Sequence, residues 1–401
     1  MKVGIIVDHQ FDTPLGYSVR PRELSINLSK LGCEVNVFSP VDRSLKYSEN
    51  LIVHGISSSR LLITERIHKL LRKISKNRQT ARLLYRKKAL EALSRQLAQG
   101  IYGMVRDSGV DLLQGEKEIA GRAAVILGQK LGVPVVTDVH GLLAEEALLY
   151  QFIKEGSKEY QECREFVSEV LRGSNAVITV SDVMRTYFQK EFNIGGGRLF
   201  VVENAARATK ITRPSRAAPK NLVYAGIFEP WERVDIAIAS MSHVRSAHKT
   251  AKFFVAGSGS LESALVRYVD HLGIRDYVNF VGSLPYREVP HFLAQGDIAV
   301  LPSTQDIVRE VACPIKLFEY LAAGLPVVTV EGLWWSRLVR DNNAGLVSDG
   351  DPKAFGGAIN SLLSDPDKLN RMGQEGVRLV KHKHNWTERA ERLLRIYEEI
   401  V

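Results

Sequence analysis

The sequence predicts an α/β protein of two domains, each a parallel sheet covered by helices, and three observations carry that prediction. At 401 residues the chain exceeds what one hydrophobic core usually serves. Short apolar strands alternate with helical stretches in both halves, the order that parallel sheets need. Between the two series lies a polar segment, residues 206–220, with two prolines and little apolar content, which reads as a linker.

The N-terminal domain, residues 1–205, opens with the strand KVGIIVD, a turn, a helix from about Arg20 to Leu31 closed by Gly32, and the strand EVNVFS. DLLQG, the helical AGRAAVILGQKLG and VPVVTDVHG repeat the unit, and NAVITVS and RLFVVENA extend it. The second domain, residues 221–385, restarts the pattern with NLVYAGIF, KFFVAGSG, VNFVGSL, DIAVLPS, LPVVTV and GLVSD. These are two Rossmann-like domains, expected to face each other across a cleft. The last segment, 386–401, is an amphipathic helix with Trp386, Ala390, Leu393, Leu394 and Tyr397 on one side.

Composition is that of a soluble globular protein, with 45% hydrophobic and 25% charged residues. No apolar run approaches the ~18 residues of a membrane span, and MKVGIIVDHQ is too soon interrupted by Asp8 to serve as a signal peptide, so a cytoplasmic place is expected. Three scattered cysteines, Cys33, Cys163 and Cys313, offer neither a disulfide framework nor a zinc site. The net charge of +9 points to an anionic partner. Between Arg60 and Arg95 twelve lysines and arginines meet two glutamates, with apolar residues at helical spacing. This segment, 60–95, reads either as a basic helix lying on an anionic membrane surface or as a domain helix with a solvated basic side. Apart from Tyr85 it lacks interleaved aromatics, so no nucleic-acid partner is expected.

The densest motif is CPIKLFEYLAAGLPVVTV, Cys313–Val330. Pro314 suits a helix start, Leu317, Phe318, Tyr320 and Leu321 give an apolar face, and Gly324 and Pro326 end the helix before a buried strand. Lys316 and Glu319, three apart, can reach one ligand together. A cation in the first turn opposes the helix dipole by roughly 0.3–1 kcal/mol unless an anion is held there. A bound phosphate resolves the conflict; a solvated Lys/Glu pair is the plainer reading.

This run resembles the donor motif P-x-K-L-F-E-Y-x-A-x-G-x-P-V-V of the retaining GT-B glycosyltransferases of the large group-one family. The resemblance implies the GT-B architecture and transfer of a sugar from a nucleotide-diphosphate donor to a hydroxyl of a lipid-linked or glycan acceptor. It implies that Lys316 and the helix N-terminus hold the diphosphate, that Glu319 grips the ribose, and that the terminal helix 386–401 crosses back to the N-terminal domain. Relatives reaching lipid acceptors use basic helices of that domain, which keeps a peripheral place on the cytoplasmic face of a membrane open.

Other positions carry over one by one. Gly16, in the loop after the first strand, matches a glycine-containing loop that touches donor and acceptor, although Leu15 stands where a second glycine is common. His140 ends a strand in DVHG and can donate to a sugar hydroxyl or orient an acceptor, with Asp138 beside it structural. Glu145 and Glu146 either meet the acceptor or simply start a helix. In VYAGIFEPWERVD the family's basic pair is missing, since Ile227 and Glu232 occupy its positions, and Arg233 is assigned the charge. The family's earlier glutamate falls at Val311, making the adjacent Glu310 a donor-site candidate. Gly257 and Gly259 form a Gly-x-Gly that would admit a nucleotide by close backbone approach. Asn204 matches a junction asparagine of structural role. No cofactor is expected, and with no D-x-D cluster no metal either. The alternative is a GT-B nucleotide-sugar epimerase or hydrolase; a dehydrogenase would need G-x-G-x-x-G after the first strand, which HQFDTPLGYS lacks.

Overall fold

The structure, a computed structural model, describes residues 1–11, 18–41, 43–56, 82–207 and 220–401. Gly16, residues 60–81 of the basic segment and residues 208–219 of the linker lie outside the described residues. The chain divides into two units: the described residues up to Glu203 with Thr387–Val401, and Asn204–Trp386.

The first unit is built on β1 (Lys2–Ile6), α1 (Val19–Lys30), β2 (Glu34–Ser39), β3 (Leu45–Ser48), β4 (Leu51–Gly55), α2 (Lys87–Ser108), β5 (Leu112–Glu116), α3 (Lys117–Leu131), β6 (Val135–Val139), α4 (Leu143–Leu149), α5 (Lys158–Gly173), β7 (Ala176–Thr179), α6 (Asp182–Phe192) and β8 (Leu199–Val201). Its eight-stranded sheet runs β3-β4-β2-β1-β5-β6-β7-β8. All pairings are parallel except β3 with β4. Ile5 lies opposite Val37 on β2 and Gln114 on β5. The inner strands are buried along nearly their whole length, as a parallel sheet covered on both faces requires.

The second unit comprises β9 (Asn221–Ala225), α7 (Val234–Ala247), β10 (Lys252–Ala256), α8 (Glu262–His271), β11 (Val278–Gly282), α9 (Val289–Leu293), β12 (Ile298–Leu301), α10 (Ile307–Val311), α11 (Ile315–Ala322), β13 (Val327–Val330), α12 (Trp334–Asp341), β14 (Gly345–Ser348), α13 (Pro352–Leu363) and α14 (Pro366–Lys383). Its six strands run β11-β10-β9-β12-β13-β14, all parallel. The α/β expectation of two mainly parallel sheets holds. The sequence reading missed the β3–β4 ribbon, an antiparallel edge of only four and five residues.

The last helix, α15 (Trp386–Ile400), belongs from Thr387 onward to the first unit. There the Tyr397 hydroxyl donates to Gln114 of β5, Thr387 Oγ1 donates to Asn27 Oδ1 at 3.0 Å, and Arg389 lies 3.4 Å from Glu203. In each sheet the strand order reverses beside the first strand, between β1 and β5 and between β9 and β12. Crevices at the carboxyl ends of such strands are where open α/β sheets bind ligands. No helix among the described residues is long and apolar enough to cross a membrane.

Candidate functional site

In the second unit, the end of β9 is locked to α11 by one side chain. The Tyr320 hydroxyl accepts from the Ala225 amide at 2.9 Å and donates to the Ala225 carbonyl at 3.1 Å, replacing a neighbouring strand's backbone. The chain then passes Gly226, where a Cβ would fall 2.7 Å from Lys316 Nζ and 2.7 Å from the Tyr224 hydroxyl. Glycine here makes room for the ammonium. Pro314 is the residue before the helix rather than its first, and Lys316 is the second residue of α11. Its Nζ donates to Glu232 Oε2 at 2.5 Å and to the Tyr224 hydroxyl at 3.2 Å.

Glu232 is 2% exposed and carries a second cation on its other oxygen, with Arg309 Nη1 3.5 Å from Oε1. Burial alone would raise the Glu232 pKa; the charges of Lys316 and Arg309 outweigh it and hold the carboxyl below its usual range. Burial lowers the Lys316 pKa, against the pull of Glu232. Arg309 is fixed from further sides: Nε donates to Ser303 Oγ at 2.9 Å, and the guanidinium lies 5.3 Å from the Trp335 ring centre. The cluster draws on the ends of β9 and β12 and the start of α11, the place where the strand order reverses.

The other expected donor residues sort differently. Glu319 lies one turn along α11 from Lys316 and is half-buried. Arg233 does not join the cluster: its backbone is left-handed at φ 46°, and its guanidinium, partly exposed, is held by Asp235 at 3.0 Å. The buried cation beyond Lys316 is Arg309, which sequence reasoning passed over. Gly257 and Gly259 are explained by chain packing. A Cβ on Gly257 would sit 1.7 Å from the Gly226 carbonyl oxygen, and one on Gly259 2.5 Å from that of Phe228. Their close approach is to the 226–228 loop, which hydrogen bonds tie to 256–261. Glu310 is half-buried in the short α10, between the buried Arg309 and Val311. Asn204 donates through Nδ2 to the Cys313 carbonyl at 2.6 Å, steadying the approach to α11 as its structural reading expects.

A second cluster lies at the strand ends of the first unit. His140 follows β6, and its Nε2 stands 3.4 Å from Oε2 of Glu116, the last residue of β5. Burial first, then the Lys117 charge, pushes the His140 pKa well below its usual range, so the imidazole is neutral at pH 7. Asp138 takes two hydrogen bonds from Arg20, at 2.9 and 3.0 Å, in line with its structural reading. Glu145 accepts from Arg164 at 2.7 Å and from the Tyr187 hydroxyl at 2.6 Å, and Glu146 accepts from the Leu142 amide at 3.2 Å. Both are engaged within the fold. Glu116, Lys117 and Glu118 were missed. Lys117 is left-handed at φ 63°, a conformation costly for a side chain with a Cβ, and such strain gathers at functional sites. The one available signal was three charges in a row at the end of an apolar strand.

Comparison with known proteins assigns both halves. The family described as "Glycosyl transferases group 1" matches residues 209–378, and "Glycosyltransferase Family 4" matches residues 16–209. Alpha-D-kanosaminyltransferase of Streptomyces kanamyceticus is 21% identical over 69% of this chain and 73% of its own length. The D-inositol 3-phosphate glycosyltransferase of Thermobifida fusca is 23% identical over 77% and 76%. Among solved structures, sucrose-phosphate synthase of Thermosynechococcus elongatus superposes with TM-score 0.76 at 16% identity, covering 100% of this chain and 98% of its own. HepE of Anabaena, solved with UDP-glucose, gives 0.71 at 15% identity with both chains fully covered. The chain has the GT-B fold and belongs to the group 1 glycosyltransferases.

Proposed function

We propose that this glycosyltransferase takes a sugar from a nucleotide-diphosphate donor and passes it to a hydroxyl of a lipid-linked or glycan acceptor with retention of anomeric configuration. The observation that carries the reading is Lys316, half-buried at the amino end of α11 and facing a glycine that leaves its ammonium room. As the C–O bond of the donor breaks, its electron pair goes to the diphosphate oxygen. The acceptor oxygen forms the new bond to carbon, and its proton leaves with the diphosphate. Charge therefore grows on the diphosphate, where Lys316 and the helix dipole are already placed; such preorganised donors are worth several kcal/mol. Glu319 takes the ribose hydroxyls, and neutral His140 donates to a hydroxyl of sugar or acceptor. With cations serving the diphosphate, no divalent metal enters the reading. The UDP-glucose complex of HepE supports a nucleotide-sugar donor.

A cytoplasmic enzyme at the membrane face belongs to the same reading through the basic stretch 60–95. In the described part of the basic stretch, Arg86 pairs with Glu162 at 2.5 Å and Lys87 with Glu165 and Glu169 at 2.7 and 2.6 Å, all on α5. Those charges are already neutralised.

A thermal-shift panel of nucleotide sugars tests the proposal. The true donor at 100 times its Kd should stabilise the protein by about 2.7 kcal/mol. Lys316→Ala and Glu319→Ala should each abolish that shift, whereas His140→Ala should keep it and cut turnover at least about tenfold. A panel in which no nucleotide sugar moves the melting temperature would defeat the reading.

A further inference from the structure

Two negative charges or more arrive with a diphosphate, and the cations that the family resemblance places after β9 are absent, Ile227 and Glu232 standing in their positions. We infer that Arg309 supplies the missing cation and binds the leaving diphosphate directly through Nη2. This rests on the second unit being the donor-binding unit and adds to it a residue from α10.

The guanidinium is anchored on all sides but one. Nη1 faces Glu232, Nε is spent on Ser303 Oγ, and the plane lies over the Trp335 ring. Nη2 is buried and meets no acceptor among the described residues. The whole residue is only 7% exposed, and a buried guanidinium N–H without a partner is a cost that folds retain mainly where a ligand supplies the partner. Charge counting agrees. The contacting trio of Glu232, Lys316 and Arg309 carries one positive charge in excess, with Glu319 the further carboxylate acting on Lys316. An anion balances it.

The residue type fits as well. Arginine's fork can give one nitrogen to a carboxylate and the other to a phosphate oxygen in one plane, which a lysine cannot. Glu232 then acts as a positioning residue, holding Lys316 and Arg309 side by side against their repulsion. The location, at the carboxyl end of β12 beside β9, is where the strand order reverses.

The test is calorimetric titration of the wild type, Arg309→Met and Arg309→Lys with uridine, guanosine and adenosine diphosphates, and with the parent nucleosides read by competition. For the diphosphate that the wild type binds, Arg309→Met should weaken affinity about 100-fold and Arg309→Lys about tenfold, with nucleoside affinity unchanged in both. Wild-type affinity for the diphosphate in both variants, or equal losses for diphosphate and nucleoside, would overturn the inference while leaving the donor reading intact. A wild type that binds none of the diphosphates would instead sink the donor reading and this inference with it. Should Arg309→Met fail to fold, Arg309→Lys keeps the charge opposite Glu232 and decides by the same ratio.

Discussion

Glu118 shows what burial does to a carboxyl that its neighbours only partly offset. Burial lifts its pKa to about 7, opposed by the Lys117 charge and by the Leu143 amide, and assisted by Glu146. Between the ordinary 4.5 and about 7 the folded chain binds the proton that the unfolded chain has released. Stability from this group is therefore complete below pH 4.5 and is lost as pH rises through 7, by on the order of 3 kcal/mol. Glu118→Gln keeps the shape and removes the titration. Its unfolding free energy should exceed that of the wild type at pH 8 and lose that advantage near pH 5, read by urea denaturation at both values; parallel pH profiles would refute the assignment. The pair Glu232 and Arg233 shows why such details escape a sequence reading. The two are adjacent, and the left-handed turn at Arg233 sends one inward and the other out to Asp235, with no glycine to announce the turn. Arg309 escaped for a related reason: seven residues before Lys316 and on another helix, it meets Glu232 only through tertiary packing.

At the scale of elements, what was legible is what burial on both faces writes into composition. Most inner strands are short apolar runs, and Gly32 at φ 91° and Gly324 at φ 71° end α1 and α11 where the sequence placed the stops. Lys316 and Glu319 were legible because a cation in a first helical turn breaks a local rule, and local rules are broken mostly at working sites. What the strands' end loops do with one another was not legible. The glycines of those loops illustrate it: Gly257 was read as space for a nucleotide, yet it is space for the Gly226 carbonyl. Gly226 itself faces a charged group, the Lys316 ammonium. The two should respond differently to alanine. Gly257→Ala meets backbone at 1.7 Å from a φ of 139°, and should destabilise the protein by more than about 3 kcal/mol. Gly226→Ala meets chiefly the movable end of Lys316 and the Tyr224 hydroxyl, so it should fold with a loss of about 1–2 kcal/mol. Because the ammonium must shift, nucleotide-sugar affinity should fall about tenfold. Denaturation and donor titration of both variants check this; a Gly226→Ala protein with unaltered donor affinity would detach the glycine from the ammonium's placement.

Across the whole molecule, the chain's last helix serves the unit that its first residues build. The side chains of Ala390, Leu393, Ile396 and Tyr397 are buried, and Tyr397 reaches Gln114 in the middle of β5. Withdrawing three large apolar side chains from that core costs roughly 5–9 kcal/mol, comparable to the entire stability of a domain. Deleting Thr387–Val401 should therefore unfold or strongly weaken the first unit while sparing the second, whose residues end at Trp386. The tryptophans make the two outcomes separable, because Trp231, Trp334, Trp335 and Trp386 all lie in the second unit. In the truncated protein, far-ultraviolet circular dichroism should show an early loss of helix, with tryptophan fluorescence keeping its later transition. If both signals melted together at the wild-type temperature, α15 would be dispensable to the first unit's core; if both fell together, the two units would be shown to unfold as one.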